Sequence, residues 1–433
     1  MIYDVLVIGA GFAGLSAALH AAQSGARTEI LAKGIGSTHW AAGWVDVLGY
    51  WPAGSAEPVV SPRDAVRQLI VERPEHPYGR AGIEVLDHAL SAFCAHAAAG
   101  GLVYDGTLDR NVLLVTPAGV RRPTCLVPRA MAAAAGVADG KTVVVGIAGM
   151  RDFYPEYVVA NLQAQGCAAT PVIADMPSVR TRRPQTTVIL AMMLEDRAVR
   201  DELIRGIASA ARGADRVGFP AVLGVGRHRE VTEDLERGLG VPVFEIPTLP
   251  PSVSGYRLFE ALRRRFVELG GRITIGAEVV TRWADGDRLV GVGTEAAART
   301  QRHSAGAFVV ATGGFLGGGL VAAPDGGVRE TALGLPVQAP PDRSSWFDPR
   351  VLAPQGHAVF RAGLAVNGEM QPLDARGAAV YRNVWAAGSV LAGANEWREK
   401  SHEGLALATG EQAARGVLAG WDASQRSETD VPR

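Results

Sequence analysis

The order of apolar and polar positions predicts a chain in which strands and helices alternate. Residues 5–8 form a short, continuous apolar run, which is typical of a parallel strand buried on both faces. Leu and Ala then recur at helical spacing over residues 15–22, and residues 29–32 predict the next strand. This alternation favours an α/β fold. The other predicted elements are strands at 142–145, 172–175, 187–193, 221–225, 272–275, 289–292 and 307–310, and helices at 62–73, 82–99, 195–212, 255–269 and 405–417.

The same pattern divides the chain into two domains. A stretch rich in proline, glycine and alanine at 51–62 leaves the first strand–helix–strand unit. The segment 255–310 has the usual middle of a two-dinucleotide-binding, Rossmann-like flavoprotein fold, which here carries an inserted second α/β domain. The predicted division is 1–51 with 249–315 and 357–423 for the nucleotide-binding domain, 52–248 with 316–356 for the inserted domain, and 424–433 for a polar, disordered tail.

Three glycines follow the first predicted strand in the pattern G-x-G-x-x-G: Gly9, Gly11 and Gly14. The first permits a tight turn, the second lets the backbone approach a phosphate, and the third lets the helix pack on the strand. The free N–H groups and the positive dipole end of that helix attract an anion. The motif predicts nucleotide binding. The alternative that it leaves open is a βαβ unit whose glycines serve packing alone.

Two later segments resemble the other nucleotide-contacting motifs of flavoproteins. Thr312 and Gly313 end one predicted strand, where the chain would pass close to the nucleotide. Gly388 and Ser389 end another, which would deliver a residue to the ribityl chain. Gly404 precedes the last helix, whose N-terminus is expected to point at the flavin and to stabilise negative charge there.

A second strand–glycine–helix segment, at residues 146–153, supports two interpretations equally. It could be another helix end that accepts an anion, or a βα turn with a purely structural role in the inserted domain. The residues alone do not separate the two interpretations.

Composition narrows the possible functions. With 48% apolar residues, 20% charged residues and a net charge of −1, the chain offers no basic surface for nucleic acid or for a charged membrane. Its three cysteines, Cys94, Cys125 and Cys167, form no C-x-x-C pair, so we expect no metal site and a reducing, cytoplasmic compartment. We also expect neither a leader before the first strand nor a membrane span.

The catalytic residues are unknown at this stage, although some polar residues are candidates. Arg398, Lys400 and His402 precede the last helix and lie closest to the expected flavin ring, where each could also be a solvated loop charge. His76, in a fixed turn next to proline, is expected to have no role. Three further residues could recognise phosphate, although a structural role is expected for each alone: Arg329, Arg343 and His357.

Taken together, several segments carry a family resemblance. The segment 37–43, with His39 and Gly43, is similar to the one that lies along the flavin in succinate dehydrogenase-like flavoproteins. With this segment and the glycine motif, residues 76–78, 144–149, 249–253, 313–320, 329–330 and 333–335 make nearly the whole chain resemble the B-subunit family of anaerobic glycerol-3-phosphate dehydrogenase.

This resemblance implies a flavoprotein subunit, often described with FMN, that has two partners: an FAD-bearing A subunit, and an iron–sulfur C subunit that reaches the membrane quinone. It implies oxidation of sn-glycerol 3-phosphate to dihydroxyacetone phosphate, in the cytoplasm or at the inner face of the cell membrane through partner subunits. Two departures stand out, since Ser389 replaces an Asp and residues 399–404 replace a glycine cluster. A stand-alone flavin-dependent oxidoreductase with another substrate and a non-catalytic assembly subunit therefore stay open.

The identity of the flavin is predicted from the end of the second strand. The adenosine ribose of FAD needs a hydrogen-bond acceptor, commonly Asp or Glu at that point. Ala32 cannot accept, and Lys33, a cofactor-binding candidate, can only donate. Unmatched hydroxyls would cost about 1–3 kcal/mol, unless a backbone carbonyl or a water molecule accepts from them. This argument and the resemblance favour FMN slightly over FAD, which the three-motif layout usually holds.

Overall fold

The computed structural model describes residues 3–180, 186–296, 299–324 and 326–429. Its contacts group the chain into two compact units. Unit 1 consists of Met1–Ser37, Asp46–Gly100 and Ala261–Arg433, and unit 2 of Thr38–Val45 and Gly101–Glu260.

The strands and helices alternate through both units, as the sequence predicts. The strands are β1 Tyr3–Ile8, β2 Thr28–Ala32, β3 Tyr104–Asp105, β4 Val112–Val115, β5 Arg121–Thr124, β6 Val127–Pro128, β7 Thr142–Ile147, β8 Ala169–Ala174, β9 Arg216–Pro220, β10 Val243–Ile246, β11 Arg272–Ile275, β12 Val279–Asp285, β13 Arg288–Ala296, β14 Arg299–His303, β15 Ala305–Val310, β16 Leu320–Ala322, β17 Val328–Glu330 and β18 Val384–Ala386. The helices are α1 Phe12–Gln23, α2 Pro62–Glu72, α3 Pro77–Ala81, α4 Ile83–Ala99, α5 Pro155–Ala164, α6 Pro177–Arg180, α7 Thr187–Met193, α8 Arg197–Ala211, α9 His228–Leu239, α10 Val253–Glu268, α11 Glu396–Glu399 and α12 His402–Thr429.

Unit 1 is built on a parallel five-stranded sheet in the order β11–β2–β1–β15–β18. Strand β1 lies at its centre, with Val7 in register with Ile30 on one side and Val309 on the other. The apolar run 5–8 is buried, with a strand on each of its edges and α1 packed against it. The α/β, Rossmann-like fold class is thereby confirmed.

Small residues let α12 lie directly against α1 in this unit. The Ser16 hydroxyl donates a hydrogen bond to the Leu407 carbonyl at 3.1 Å. A Cβ atom at Gly410 would come within 2.9 Å of the Ser16 Cβ, so a larger residue would push the helices apart. This packing fixes α12 relative to the first βα turn.

Unit 2 contains a second parallel sheet, in the order β10–β9–β7–β8. Its core is aliphatic, and β7 at the centre of the sheet is buried along its whole length. The N-terminus of α10 is capped by Ser252, whose hydroxyl accepts from the Gly255 N–H at 3.1 Å. The sequence predicts this cap, because Pro250 and Pro251 disfavour helix before Ser252 and serine is a common N-cap, and the structure confirms it.

Two predicted strands are wrong. Residues 187–193 form helix α7 instead, since the Thr186 hydroxyl caps its first turn by accepting from the Ile189 N–H at 3.3 Å. Residues 221–225 form a loop after β9 instead of a strand. Both segments are short apolar runs, and such runs fit a buried strand and a buried helix or loop equally well.

The units also differ from the predicted domain boundaries. Residues 52–100 and 316–356, which we assigned to the inserted domain, group with unit 1. The rings of Phe12 and Phe93 lie 6.4 Å apart, so α4 packs on the first helix of the nucleotide fold. At the other end, α12 continues to Thr429 through most of the predicted disordered tail, and residues 430–433 lie outside the described residues.

Candidate functional site

In unit 1, the turn between β1 and α1 requires glycine at two positions. Gly9 has φ +119°, and a Cβ atom there would overlap the Ala311 carbonyl oxygen. A Cβ atom at Gly14 would overlap the carbonyl oxygen of Gly9, because the helix packs closely on the strand. Both positions therefore require glycine, because any side chain there would clash with the backbone of the same chain.

Gly11 has a different surrounding. A Cβ atom at this position would have no described atom within 4 Å, so open space lies beside the helix N-terminus. The first turn of α1 contains no acidic residue and no side-chain cap. The N–H groups of that turn can therefore donate to an anion without repulsion. This open cradle has the polarity that a nucleotide phosphate needs.

The segment after β2 lies beside the cradle. Gly36, with φ +70°, packs so closely that a Cβ atom there would lie 2.8 Å from the Gly11 Cα. Lys33 is instead 76% exposed, and its Nζ lies 2.9 Å from the Glu278 Oε1. The segment offers backbone rather than side-chain groups beside the glycine motif.

The other two nucleotide motifs reach the same edge of the sheet. Strands β1, β15 and β18 are neighbours, so the residues that follow them, including Thr312 and Gly388, share the carboxyl edge. The Thr312 hydroxyl is buried and has no hydrogen-bond partner in the described chain. A Cβ atom at Gly388 would lie 2.7 Å from that of Ala13, and one at Gly314 would lie 2.9 Å from the Ser389 carbonyl oxygen. The structure thus brings these predicted site residues together.

Ser389 is joined to His402 through a carboxylate that the sequence analysis did not single out. The Ser389 hydroxyl donates to the Glu396 Oε2 at 2.8 Å, and the His402 Nδ1 makes a short hydrogen bond to the same oxygen. The His402 ring also stacks on Trp397, with 5.9 Å between centroids and an angle of 18°. A carboxylate that holds the Nδ1 proton leaves Nε2 of the neutral ring as the basic nitrogen.

Asn395 and Arg398 carry further unpaired polar atoms. Asn395 is 1% exposed, yet neither its amide nitrogen nor its amide oxygen has a partner among the described residues. The same holds for the buried Nη2 of Arg398. Buried polar atoms are nearly always hydrogen-bonded in folded proteins. These groups could therefore bind a water molecule or a polar ligand next to α11.

His76 and Glu399 form a buried hydrogen-bonded pair, so our expectation that His76 has no role is corrected. The His76 Nε2 lies 3.2 Å from the Glu399 Oε2, both side chains are inaccessible to solvent, and the Tyr78 N–H donates to the His76 Nδ1. Burial would raise the pKa of Glu399, but the hydrogen bond from His76 holds it below its ordinary value. The pair ties α11 to the turn before α3.

Gly404 serves packing and does not line an open cradle. A Cβ atom there would lie 2.6 Å from the Tyr78 hydroxyl oxygen and 2.8 Å from the Val47 Cα. Its N–H donates to the Asp46 carbonyl at 2.8 Å. Lys400, which has φ +52° in the left-handed region, ends α11 just before α12.

In unit 2, the segment with His39 and Gly43 is clamped to the N-terminus of α10. The Ser252 N–H donates to the His39 carbonyl at 3.1 Å, and a Cβ atom at Gly43 would lie 2.8 Å from the Ser254 Cβ. The His39 Nδ1 is buried and has no partner in the part of the chain that the structure describes. With the Thr38 hydroxyl, which is likewise buried and without a described partner, it is an atom of this segment that a ligand could engage.

The other phosphate candidates have structural surroundings. Arg343 lies over the Trp346 ring at 5.5 Å, and the His357 Nδ1 accepts from the Asp348 N–H at 3.1 Å. Arg329 lies within the β16–β17 hairpin. Within the described ranges, no group of three or more His, Cys, Asp or Glu residues could hold a metal ion. Nor is any described helix both long and apolar enough to cross a bilayer.

Sequence reasoning missed Gly36, Asn395, Glu396 and Glu399. The run 396–404 alternates acids and bases, a pattern that usually indicates a solvated loop, and burial of its acids depends on distant partners such as His76. Gly36 gave one usable indication, because a second glycine two residues after Gly34 marks a backbone position that needs positive φ.

Comparison with known proteins bears on this site. The FAD binding domain family matches residues 4–405. The chain is 35% identical over 428 residues to the probable B subunit of the anaerobic glycerol-3-phosphate dehydrogenase of Halobacterium salinarum, covering 94% of this chain and 96% of that one. It is 31% identical to the B subunit of the anaerobic glycerol-3-phosphate dehydrogenase of Vibrio cholerae, covering 99% of each. Among solved structures, it is similar to the 3-ketosteroid Δ1-dehydrogenase of Sterolibacterium denitrificans, with 13% identity, a TM-score of 0.47 and coverage of 97% and 100%.

Proposed function

Since the chain belongs to the B-subunit family of anaerobic glycerol-3-phosphate dehydrogenases and carries an FAD binding domain, we propose that it is the flavoprotein subunit of such a complex, oxidising sn-glycerol 3-phosphate to dihydroxyacetone phosphate. The observation that carries the proposal is the open space beside Gly11 at the N-terminus of α1, in a chain with this family membership. When bound there, a flavin supplies the two-electron acceptor for alcohol oxidation.

We propose FAD as the flavin. The family match is to an FAD binding domain and does not support our slight preference for FMN. The absence of a carboxylate at Ala32 is compatible with FAD, because backbone groups and water can accept from ribose hydroxyls. Gly36 brings backbone groups to that side of the cradle. A Cβ atom at Gly36 would lie only 2.8 Å from the Gly11 Cα.

The residues around α11 support three roles in the reaction. Arg398 has a buried, unpaired Nη2, and a guanidinium can hold a phosphate through paired hydrogen bonds. Asn395 can hold a hydroxyl through either amide atom. His402, with Glu396 on its Nδ1, is suited to take the hydroxyl proton at Nε2 as the alcohol is oxidised. In this scheme Glu396 orients the ring and stabilises its charged form.

The partner subunits belong to the same proposal. The relatives in Halobacterium salinarum and Vibrio cholerae are named as B subunits, which supports a complex with other subunits. We propose that electrons leave through an FAD-bearing A subunit, then through an iron–sulfur C subunit, towards membrane quinone. The chain would then reach the inner face of the membrane through these partners alone.

Co-expression with the two partner subunits tests this function. The complex should oxidise glycerol 3-phosphate, and the isolated chain should not reduce quinone with it. His402→Ala should lower kcat by about 10²–10⁴, the usual contribution of a general base, while assembly persists. His357→Ala, in a loop of the same unit, is the matched control and should retain activity.

Two outcomes would redirect the proposal. Quinone-linked turnover by the isolated chain would favour the stand-alone oxidoreductase. Full activity of the His402→Ala complex, or a flavin-free chain that still assembles, would favour the non-catalytic assembly role.

A further inference from the structure

Unit 2 contains a cavity of about 230 Å³ that the proposed function does not use. Leu102, Val103 and Met131 give it apolar walls, and Tyr104, His228 and Ser254 give it polar ones. An engineered apolar cavity of about 150 Å³ accepts benzene, so this one has room for a substituted ring. It is smaller than the sites that hold drug-sized ligands, which start at about 300 Å³.

The positive and negative charges of the residues that line the cavity balance. Arg257 and Glu245 form a buried bidentate pair, with 2.6 Å from Nη1 to Oε2 and 2.9 Å from Nη2 to Oε1. The Arg229 Nε donates to the Glu233 Oε1 at 2.8 Å. The two remaining charged residues of the lining, Arg129 and Glu236, have opposite signs. A dianion such as glycerol 3-phosphate would therefore meet no excess positive charge in this cavity.

Three of the four uncharged polar side chains in the wall are already engaged. The Thr232 hydroxyl donates to the His228 carbonyl at 2.9 Å. The Tyr104 hydroxyl donates to the Gly43 carbonyl at 2.5 Å, and the Ser254 hydroxyl donates to the Ala42 carbonyl at 2.8 Å. Both bonds hold the segment 38–45 in place. Their donor capacity is spent on the chain itself, so a ligand gains little from them.

His228 is the polar group left for a ligand. Its ring lines the cavity and makes no hydrogen bond to any described residue. Burial, followed by the positive charge of Arg257, lowers the pKa of His228 to about 4, against the opposing effect of Glu245 and Glu195. At neutral pH the ring is thus uncharged, with one nitrogen that donates and one that accepts.

We propose that this cavity binds an uncharged small molecule, about one substituted ring in size, which hydrogen-bonds to His228. The apolar walls exclude water from the ring of the ligand, and His228 fixes its orientation. A formal charge on the ligand would be desolvated without a compensating partner, so neutral molecules are selected. The lining shares no residue with the glycine motif or with α11, and Gly43 is the cofactor-binding candidate that it includes.

Three probes of equal ring size and different charge test the proposal on the purified full chain at pH 7. Saturation-transfer NMR should detect binding of 4-methylphenol, with benzoate and benzylammonium at least tenfold weaker. Val103→Trp, at a position 40% exposed, should fill the cavity and weaken 4-methylphenol at least tenfold. Val120→Trp, at a position 52% exposed in the same unit and outside the lining, is the matched control and should bind as the wild type does.

A second pair of variants tests the hydrogen bond. His228→Gln keeps a donor and an acceptor and should retain binding within about threefold, whereas His228→Leu should lose it at least tenfold. Thermal melting checks that each variant is folded. No detectable 4-methylphenol binding, equal binding of benzoate, or unchanged binding by Val103→Trp or His228→Leu would each overturn the proposal. Neither flavin nor glycerol 3-phosphate is used, so this outcome is independent of the proposed dehydrogenase function.

Discussion

Two βα turns, one in each unit, begin alike and end differently. In unit 1, β1 runs into Gly9 and Gly11 and then α1, and in unit 2, β7 runs into Gly149 and then α5. Each strand lies inside a parallel sheet and is buried. From the sequence, both turns were candidates to bind an anion through a helix N-terminus.

The two turns differ in the first turn of the helix that follows. In α1 the helix begins directly after Gly11, with no acidic residue in its first turn. In α5 the first residue is Pro155, which has no N–H to donate, and Glu156 in the first turn would repel an anion. The comparison favours the structural interpretation of the unit 2 turn. A glycine after a buried strand therefore indicates an anion site only when the helix that follows offers free N–H groups.

The largest expected effect comes from adding a side chain at Gly14, which packs directly on Gly9 in unit 1. Gly14→Val would drive its side chain into the Gly9 carbonyl, so we expect a loss of about 3 kcal/mol or more of folding free energy and of bound flavin. Gly149→Val has no atom near its Cβ and meets only the strain of φ +87°, about 1–2 kcal/mol. Denaturant unfolding and flavin absorbance measure both. Equal flavin loss in the two variants would break the comparison.

The second-largest effect is expected at acid pH, where protonation of His228 should lower the free energy of unfolding of unit 2. The folded-state pKa of His228 in unit 2 is about 4, below its unfolded value of about 6.5, so its contribution to stability is present above pH 6.5 and is lost as pH falls towards 4. Linkage gives a loss of about 2 kcal/mol by pH 5. Unfolding titrations at pH 7 and pH 5 should show a loss about 2 kcal/mol larger in the wild type than in His228→Gln, since buried His96, whose pKa is also lowered by burial, contributes equally to both. The same slope in both proteins would contradict the assignment.

A substitution at Gly11 should have a smaller effect, which is confined to flavin affinity. A valine there meets open space in the chain, so the fold should persist, but its side chain would occupy the place of the phosphate. We expect flavin affinity to fall tenfold or more, at least about 1.4 kcal/mol, with an unchanged melting temperature for the flavin-free protein. Flavin titration by fluorescence quenching provides the measurement, and full affinity in Gly11→Val would misplace the site.

Lys33 should show the smallest effect. Its ammonium is exposed and paired with the exposed Glu278, an arrangement worth less than about 1 kcal/mol. Lys33→Ala should therefore leave both stability and flavin affinity nearly unchanged in the same assays. A large loss of flavin would show that Lys33 turns towards the nucleotide, as its place after the second strand suggests.

The sequence predicted the elements whose pattern is local. Strand β11 has the predicted bounds, and Ser252 caps α10. Both could be predicted because a short strand and a helix cap are determined by neighbouring residues in the sequence. Helix α7 was missed because seven residues are too few to separate helical from strand periodicity.

The parts of the candidate site that depend on distant residues could not be predicted. Glu399 is buried because His76 lies against it, and these residues are 323 positions apart in the chain. Likewise, Asn395 and Arg398 stand out only once their burial without partners in the described chain is known. The glycine motif needed no such information, since its turn, strand and helix are contiguous.

Identifying the flavin tests the central claim most directly. The wild-type chain, purified with its partner subunits removed and then denatured by acid, should release FAD in stoichiometric amount, and Gly11→Val should release little or none. FMN in place of FAD, or a wild-type chain that holds no flavin even after incubation with FAD, would contradict the account of the β1–α1 cradle.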